Sequence, residues 1–356
     1  MKKNLDVFIG SYTQKEAHVN GTGKGIYWFK LDTDSFNVKE EHYFDGIINP
    51  SYLYVDSDKK LLYSVEETSE NGMVHSFRID NNNMKLNHLS SRSTDGASPC
   101  HLSFDNKHKL LMVANYSGGN IKLFPVNDNG IILESIYEYK YTGNSINKER
   151  QNESHPHSII SVPDNKHFLV QDLGTDKIWI HDFDKLENNS ELKSINIHPG
   201  SGPRHLAFNR KLSVCYLINE LNANINVISF NNHFDNINVI QTLPSLNPDI
   251  AVNRKLSAAI HLHPNGKYLY VSNRGSDTIS IFYVNNKNGK LTFVDMVSVD
   301  GKEPRDFNIS PDGQLLICAN QNSNDITIFN VNSETGLLKY TKKRIKINSP
   351  TFVHIN

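Results

Sequence analysis

The amino-acid sequence predicts an all-β fold, a seven-bladed β-propeller with four antiparallel strands in each blade. A segment of about nineteen residues recurs six times and begins a seventh time at the end of the chain. Successive copies are about 50 residues apart, which is the spacing of propeller blades. The copies start at Asn49, Ser98, His155, Gly202, Leu256 and Glu303, and the partial copy starts at Ser349.

Each repeat contains four segments with the pattern of strands. A short apolar segment, a turn rich in Asp, Asn or Gly, and a second apolar segment predict a hairpin. A third apolar segment follows, such as NIKLFPV from Asn120, and then a more polar one, such as LTFVDMVSV from Leu291. A lone sheet of this size cannot cover both of its apolar faces, so stacked blades are expected.

The two ends of the chain together supply one further blade. The N-terminal segments DVFIGSYT, GIYWFKL and VKEEHYF match second, third and fourth strands, but no first strand precedes them. The tail PTFVHIN matches a first strand and is expected to close the ring, which removes exposed sheet edges. Because the repeats leave no linker, residues 1–356 are predicted to form a single domain.

Composition indicates neither nucleic acid nor membrane as a partner. The 37 basic and 38 acidic residues give a net charge of -1, which creates no global attraction for polyanions. The start, MKKNLDVFIGSYT, has too short an apolar stretch for a secretory signal, and no apolar segment has membrane length. Three cysteines in three different repeats favour a reducing cytoplasm. Composition leaves a homo-oligomer open.

Two positions of the repeat are expected to meet at one end of the propeller channel. In a hairpin, the residue after the leading proline and the residue that closes the repeat lie at the same end of the sheet. Both sets differ in type between repeats, which indicates a site rather than a structural motif. The first set is Ser51, Cys100, His157, Arg204, Ala258, Arg305 and Thr351; the second is Glu67, Tyr116, Leu173, Glu220, Arg274 and Gln321.

The charged members of these sets predict a cationic funnel around a carboxylate. Arg204 and Glu220 share one hairpin, and Arg274 and Arg305 come from the next two repeats. Guanidinium groups bind carboxylate or phosphate through paired hydrogen bonds and stabilise a developing oxyanion. A small anionic ligand is therefore expected. The alternative interpretation is that Arg204 and Glu220 form an ion pair that only stabilises the hairpin.

Two histidine pairs have the spacing of ligands on one strand face, His155 with His157 and His261 with His263. The sequence fixes no third ligand for either pair, so neither a metal nor a cofactor is predicted. His155 and His157 are expected to act in catalysis or substrate contact instead. Cys100 is expected to be a packing residue.

Two insertions interrupt the regular spacing, at residues 137–154 and 233–255. Long loops over a propeller channel often shape ligand access. The alternative is a surface excursion with no role in function.

The motifs HPHS, DLGTD, GPRHLAF, INEL, SNRGSD, EPRDFNISPDG and CANQNSND, in this order, resemble the seven-bladed propeller lactonase family over essentially the whole chain. That family, also called the cycloisomerase 2 family, includes propeller-type bacterial 6-phosphogluconolactonase and the fungal carboxymuconate-lactonizing enzyme. The resemblance implies catalytic roles for a histidine, two arginines and a glutamate, which match His155 or His157, Arg204, Arg274 and Glu220. Ser257 departs from the pattern, because a proline leads the other repeats.

The resemblance implies hydrolysis of a sugar lactone, with 6-phosphogluconolactone as the expected substrate in the pentose phosphate pathway. Substrate contacts are expected from Arg305, Tyr116, Glu67 and Gln321. Either Glu220 or a histidine activates water, although a carboxylate beside arginines is a weak base. Two alternatives stay open: a muconate-type lactonizing cycloisomerase, which protonates carbon, and a propeller that binds partners without catalysis.

Overall fold

The computed structural model describes residues 4–16, 19–186, 192–231, 234, 236–247 and 254–356. Over these residues the regular secondary structure is strand, apart from a 3-10 turn at Phe183–Lys185. Part of the predicted insertion at 233–255 lies outside the described residues. Within the described part, no helix is long and apolar enough to span a membrane.

The strands follow the repeat pattern. The chain begins with β1 (Asn4–Ser11), a short hairpin of β2 (Lys15–Glu16) and β3 (Val19–Asn20), β4 (Ile26–Asp32) and β5 (Val38–Phe44). Sheet 2 contains β6 (Leu53–Asp56), β7 (Leu61–Glu66), β8 (Met73–Asp80) and β9 (Lys85–Ser93). Sheet 3 contains β10 (Pro99–Asp105), β11 (Leu110–Asn115), β12 (Asn120–Pro125) and β13 (Tyr137–Lys140). Sheet 4 contains β14 (Pro156–Ser161), β15 (His167–Asp172), β16 (Lys177–Asp182) and β17 (Lys193–Asn196).

The second half of the chain repeats this order. Sheet 5 contains β18 (Pro203–Asn209), β19 (Val214–Asn219), β20 (Asn224–Phe230) and β21 (Ile237–Pro244). Sheet 6 contains β22 (Ser257–Leu262), β23 (Tyr268–Asn273), β24 (Thr278–Val284) and β25 (Leu291–Ser298). Sheet 7 contains β26 (Pro304–Ile309), β27 (Leu315–Asn320), β28 (Asp325–Val331) and β29 (Leu338–Lys346).

The last strand, β30 (Pro350–Ile355), joins the N-terminal strands. Sheet 1 has the order β30-β1-β4-β5, so the tail supplies the first strand that the N-terminal segments lack. This pairing confirms the predicted closure of the sheet. The described chain groups into two compact units: unit 1 is Met1–Ile9, Trp28–Glu41 and Arg204–Asn356, and unit 2 is Gly10–Tyr27 and His42–Pro203.

Within each unit the apolar core lies between neighbouring sheets. In unit 1, one cluster fills the space between sheets 5 and 6 with buried side chains such as Tyr216 and Phe282, and a second joins sheets 6 and 7. In unit 2, equivalent clusters join sheets 2 and 3, with Tyr63 and Phe124, and sheets 3 and 4. The second strands of sheets 3, 5, 6 and 7 are buried along their whole length, whereas fourth strands such as β5 are largely exposed. The sheets thus bury both faces by stacking, as the repeat predicts.

The structure corrects the predicted start of the first insertion. The sequence assigns residues 137–154 to an irregular segment, but Tyr137–Lys140 form β13, the fourth strand of sheet 3. Tyr137 is buried in the core between sheets 3 and 4, and this burial favours pairing with β12 over a loop. The irregular segment is therefore residues 141–154.

Candidate active site

The first strands of several sheets change register where the sequence predicts functional side chains. In sheet 3 the pairing shifts between Pro99 and His101, at Cys100. Such a β-bulge turns a side chain out of the normal alternation of a strand and is frequent next to active sites. Equivalent shifts occur in sheets 4, 6 and 7, at His157, at Ala258 with Ala259, and at Arg305. In each of these sheets, the residue that follows the leading proline, or Ser257 in sheet 6, is therefore left out of the regular strand pairing.

Three charged side chains form a buried cluster in unit 1, which we call the arginine cluster: Arg204, Glu220 and Arg274. Arg204 donates from Nε to Oε2 of Glu220 over 3.0 Å, and Nη2 of Arg274 lies 2.7 Å from the same oxygen. Arg204 and Glu220 are each only 2% exposed, and Arg274 is 9% exposed. Buried charges require this pairing, because desolvation of a lone charge costs several kcal/mol. The structure thus brings together three of the residues that the sequence assigns to one site.

Backbone carbonyl groups fix the two guanidiniums of the arginine cluster. Nη1 of Arg204 donates to the carbonyl oxygen of Ala258 over 2.6 Å, and Nη2 of Arg274 donates to that of Ser257 over 3.3 Å. Both acceptors belong to the start of β22. The start of β22 therefore anchors both guanidiniums, while Glu220 and Arg274 themselves lie in the turns that directly follow β19 and β23.

Glu303 and Arg254 extend the arginine cluster toward solvent. Oε1 of Glu303 lies 4.0 Å from Nε of Arg274, and its Oε2 lies 2.5 Å from Nη2 of Arg254. The Nε atom of Arg274 is buried and has no hydrogen-bond acceptor among the described residues. Three guanidiniums and two carboxylates leave this group with a net charge of +1. Such a site favours an anionic ligand, or an oxygen atom that develops negative charge.

A second cluster lies in unit 2 and contains the predicted histidines. We call Tyr116, His155 and His157 the histidine cluster. The rings of Tyr116 and His155 stack with centroids 4.4 Å apart and an interplanar angle of 8°. His157 meets Tyr116 edge to face at 5.5 Å. The two histidines are 7% and 6% exposed, so the structure brings these three residues together in a mostly buried environment.

Hydrogen bonds orient the residues of the histidine cluster. Nδ1 of His155 lies 3.0 Å from the carbonyl oxygen of Tyr116, which makes Nδ1 the donor and leaves Nε2 as the acceptor of the neutral ring. The backbone N–H of His155 donates to Asp172 over 2.8 Å. Sγ of Cys100 lies 3.4 Å from the carbonyl oxygen of His157, so this cysteine packs against the strand that carries the histidine.

Glu67 occupies a polar pocket in unit 2. Its carboxylate accepts hydrogen bonds from the hydroxyl groups of Tyr12, over 3.0 and 3.1 Å, and Ser51. Glu67 is 4% exposed. These hydroxyl donors offset part of the cost of burying the carboxylate.

Arg305 and Gln321 contact each other in unit 1, as expected for the two positions of one repeat. Nη1 of Arg305 lies 3.4 Å from Oε1 of Gln321. The same pairing of positions links Arg204 with Glu220 and Ser51 with Glu67. The hairpin geometry that the sequence predicts is therefore present in three repeats.

The second histidine pair has structural contacts. Nδ1 of His263 accepts from the backbone of Asn265 over 3.1 Å, and its Nε2 donates to the carbonyl oxygen of Gly313 over 2.9 Å. His261 lies 3.2 Å from the carboxylate of Asp306. Both ring nitrogens of His263 are therefore occupied. Across the described residues, no group of three or more His, Cys, Asp or Glu side chains has the geometry of a metal site.

Gly275 allows the backbone of the second insertion to approach the arginine cluster. A Cβ atom at this position would lie 1.6 Å from the carbonyl oxygen of Arg254. We expect Gly275→Ala to displace Arg254 and to lower the free energy of unfolding by about 1–3 kcal/mol, the usual cost of overpacking. Urea denaturation measures the loss.

The control for this substitution is Gly266→Ala. Its methyl group would meet nothing within 4 Å, although φ is +73°. The free energy of unfolding of the control should fall by only about 1 kcal/mol, because alanine is strained at a left-handed φ. If Gly275→Ala loses no more unfolding free energy than Gly266→Ala and keeps its activity, the close approach of the Arg254 backbone matters for neither stability nor catalysis.

The sequence and the fold correspond to a known class of protein. A family model described as "Lactonase, 7-bladed beta-propeller" matches residues 6–355. The chain therefore belongs to the seven-bladed β-propeller lactonase family, and the predicted family and fold class are confirmed.

Several relatives show the same correspondence over most of their length. The chain is 34% identical to a 6-phosphogluconolactonase of Bacillus subtilis (84% of this chain and 83% of the relative). It is 35% identical to a 6-phosphogluconolactonase of Formosa agariphila (85% of each chain). Among solved structures, the periplasmic gluconolactonase of Pseudomonas aeruginosa aligns with a TM-score of 0.88 at 27% identity, covering 99% of each chain.

Four residues around the two clusters and the Glu67 pocket were not found from the sequence: Glu303, Arg254, Arg150 and Tyr12. Glu303 could have been found, because it is the one acidic residue at the first position of the repeats. In the structure it adopts a left-handed φ of 59°. Arg254 and Arg150, whose Nη2 donates to the hydroxyl group of Tyr116 over 3.0 Å, lie in insertions. Comparison of the repeats therefore gives no signal for them. Tyr12 directly follows β1, and the N-terminal segments lack a first strand whose repeat position could have served as a reference.

Proposed function

We propose that this protein hydrolyses a sugar lactone, and that its substrate is 6-phosphogluconolactone, which it converts to 6-phosphogluconate. The observation that carries the proposal is the buried Nε donor of Arg274, which lies in a cluster of net positive charge. An unsatisfied buried donor costs about 1–3 kcal/mol. An oxygen of the substrate would satisfy it, most strongly when that oxygen becomes negative. The names of the relatives support the same reaction.

The proposed reaction is addition of water to the lactone carbonyl. The oxygen of water bonds to the carbonyl carbon, its proton passes to a base, and a tetrahedral oxyanion forms. The bond from this carbon to the ring oxygen then breaks, and the ring oxygen takes up a proton to become a hydroxyl group. Arg274 and Arg204 stabilise the oxyanion through their positive charge. Glu220, held by two guanidiniums, positions them and is a weak base.

The histidines are the proposed proton carriers. Nε2 of His155 is the acceptor of the neutral ring, because Nδ1 faces the carbonyl oxygen of Tyr116. Histidine exchanges protons near neutral pH, which suits both the base and the later acid. Arg305, Tyr116, Glu67 and Gln321 are proposed substrate contacts. Glu220→Gln, His155→Asn and His157→Asn variants, compared over pH, separate the positioning role of the glutamate from the proton-transfer role of the histidines.

The substrate proposal is tested with two lactones and one enzyme preparation. We expect faster opening of 6-phosphogluconolactone than of glucono-δ-lactone, after subtraction of the uncatalysed rate, because a cationic site recognises phosphate. Equal rates would contradict the phosphorylated substrate. Turnover of a muconate-type dicarboxylate in place of either lactone would indicate a cycloisomerase. No turnover of any of the three would support a binding protein.

The proposed location is the cytoplasm. All three cysteines are buried thiols, none in a disulfide, and such proteins are typical of reducing compartments. The Pseudomonas aeruginosa relative is described as periplasmic, so cell fractionation is the decisive measurement.

A further inference from the structure

Glu303 in unit 1 presents one carboxylate oxygen to the arginine cluster without a direct hydrogen bond. Its Oε2 pairs with Nη2 of Arg254 over 2.5 Å, whereas its Oε1 lies 4.0 Å from Nε of Arg274. The second separation exceeds the range of an N–H···O hydrogen bond, which ends at about 3.2 Å. Within the described parts of the chain, Oε1 of Glu303 accepts no hydrogen bond and Nε of Arg274 donates none. One acceptor and one donor therefore lie side by side at this end of the cluster.

The position of Oε1 is fixed by the backbone and by Arg254. The backbone N–H of Glu303 donates to Oδ1 of Asp277 over 2.7 Å. Its left-handed φ of 59° resembles the 54° of Ser98 at the same repeat position. The backbone conformation is thus a feature of the repeat, and the carboxylate distinguishes this copy. Because Arg254 holds Oε2, the direction of Oε1 is set before a ligand binds, which lowers the entropy cost of binding.

The donor and the acceptor match two oxygen atoms on neighbouring carbons of a ligand. A carbonyl oxygen accepts from Nε of Arg274, and a hydroxyl group on the adjacent carbon donates to Oε1 of Glu303. Two such ligand oxygens lie closer together than Nε and Oε1 do, so both hydrogen bonds form side by side at ordinary lengths. A lactone with a hydroxyl group next to its carbonyl has this arrangement. A carboxylate in place of that hydroxyl group would be repelled by Glu303.

We propose that Glu303 is a specificity-determining residue that selects lactones with a hydroxyl group on the carbon next to the carbonyl. This inference rests on the proposed function, since it uses Arg274 as the donor to the carbonyl oxygen. The hydroxyl proton points to Glu303, which keeps the carboxylate apart from the oxygen that becomes negative. Both 6-phosphogluconolactone and glucono-δ-lactone have this hydroxyl group, so the selection is independent of phosphate.

The test compares glucono-δ-lactone with its 2-deoxy analogue, which lacks only that hydroxyl group. Each kcat/KM is normalised to the uncatalysed opening of the same lactone. For the wild type we expect a preference of about 10- to 100-fold for glucono-δ-lactone, the effect of one hydrogen bond to a charged acceptor. Glu303→Ala should lose this preference and change kcat/KM for the analogue by less than about threefold. Glu303→Gln, which keeps an uncharged acceptor, should retain part of the preference.

The matched control is Glu334→Ala, because Glu334 is an exposed glutamate in the turn between β28 and β29. It should open both lactones as the wild type does. Equal losses for both lactones in Glu303→Ala would indicate a structural role and overturn the inference. A wild-type preference below about threefold would also overturn it, even where Glu303→Ala does not fold. A wild type that opens neither lactone would instead overturn the proposed function, and this inference with it.

Discussion

Replacing Arg274 with glutamine is expected to lower kcat/KM for lactone opening by about 100- to 1,000-fold, the usual effect of losing one oxyanion donor. The reason is that Arg274 has a buried Nε donor and lies 2.7 Å, through Nη2, from Glu220. Glu220 retains Arg204 as a partner in this variant, so the fold should survive. Initial rates of lactone opening, with thermal unfolding in parallel, provide the measurement.

The matched control is Arg344→Gln. Arg344 also pairs with two carboxylates in unit 1, Asp300 and Asp325, but it is 46% exposed. Its loss should leave activity unchanged and alter stability by about 1 kcal/mol or less. Wild-type activity in Arg274→Gln would remove the arginine cluster from the mechanism. If both variants lose activity only in proportion to their loss of folded protein, the arginine cluster likewise has no role in the mechanism.

Acid is expected to destabilise the protein through His181 in unit 2. This side chain is 3% exposed, and its ring stacks on Phe168 with centroids 4.6 Å apart. Nε2 lies 2.6 Å from the hydroxyl group of Tyr141. Burial lowers the pKa of His181 from 6.5 to about 3. The folded protein therefore keeps this ring neutral where the unfolded chain takes up a proton.

The sign of the effect follows from proton linkage. Above pH 6.5 the ring is neutral in both states, and its contribution to stability is complete. As the pH falls from 6.5 toward 3, only the unfolded chain binds the proton, and unfolding becomes easier by about 1.4 kcal/mol for each pH unit. The expected loss at pH 5 is about 2 kcal/mol relative to pH 7.

The measurement is urea denaturation at pH 7 and pH 5 for the wild type, His181→Gln and His198→Gln. The difference between the two pH values should shrink by about 2 kcal/mol in His181→Gln, even if this variant is less stable at both. The exposed His198 serves as the control and should keep the wild-type difference. An unchanged difference in His181→Gln would show that another group carries the acid sensitivity.

The fold was predictable because the repeat encodes it several times. A hairpin, a third strand and a polar fourth strand recur in the same order. A wrong strand assignment in one repeat can therefore be recognised by comparison with the other repeats. The pairing of β30 with β1 was predictable because a first strand was missing at one end and present at the other. The contact of Arg204 with Glu220 followed from hairpin geometry alone.

The features of the candidate site that could not be predicted from the sequence lie in insertions or depend on local backbone conformation. Arg150 reaches Tyr116 from a segment without a counterpart in other repeats, and Arg254 reaches Glu303 from another. The position of Arg150 depends on a local turn in which Oδ1 of Asn147 accepts a hydrogen bond from the backbone N–H of Arg150, and no periodic pattern encodes such a turn. The bulge at Cys100 was equally hidden, because one extra residue in a strand leaves the apolar alternation nearly intact.

The register shifts also have a consequence for how substrate preference can diverge in this family. At Cys100, His157 and Arg305 the side chain belongs to a bulged residue rather than to the regular ladder. A change of residue type there alters neither the hydrogen bonds between strands nor the alternation that fills the core. New residue types can therefore be tried at Arg305, which is only partly buried, at less risk to folding than at the buried Cys100 and His157. Arg305 is thus the natural first target for directed evolution toward other lactones.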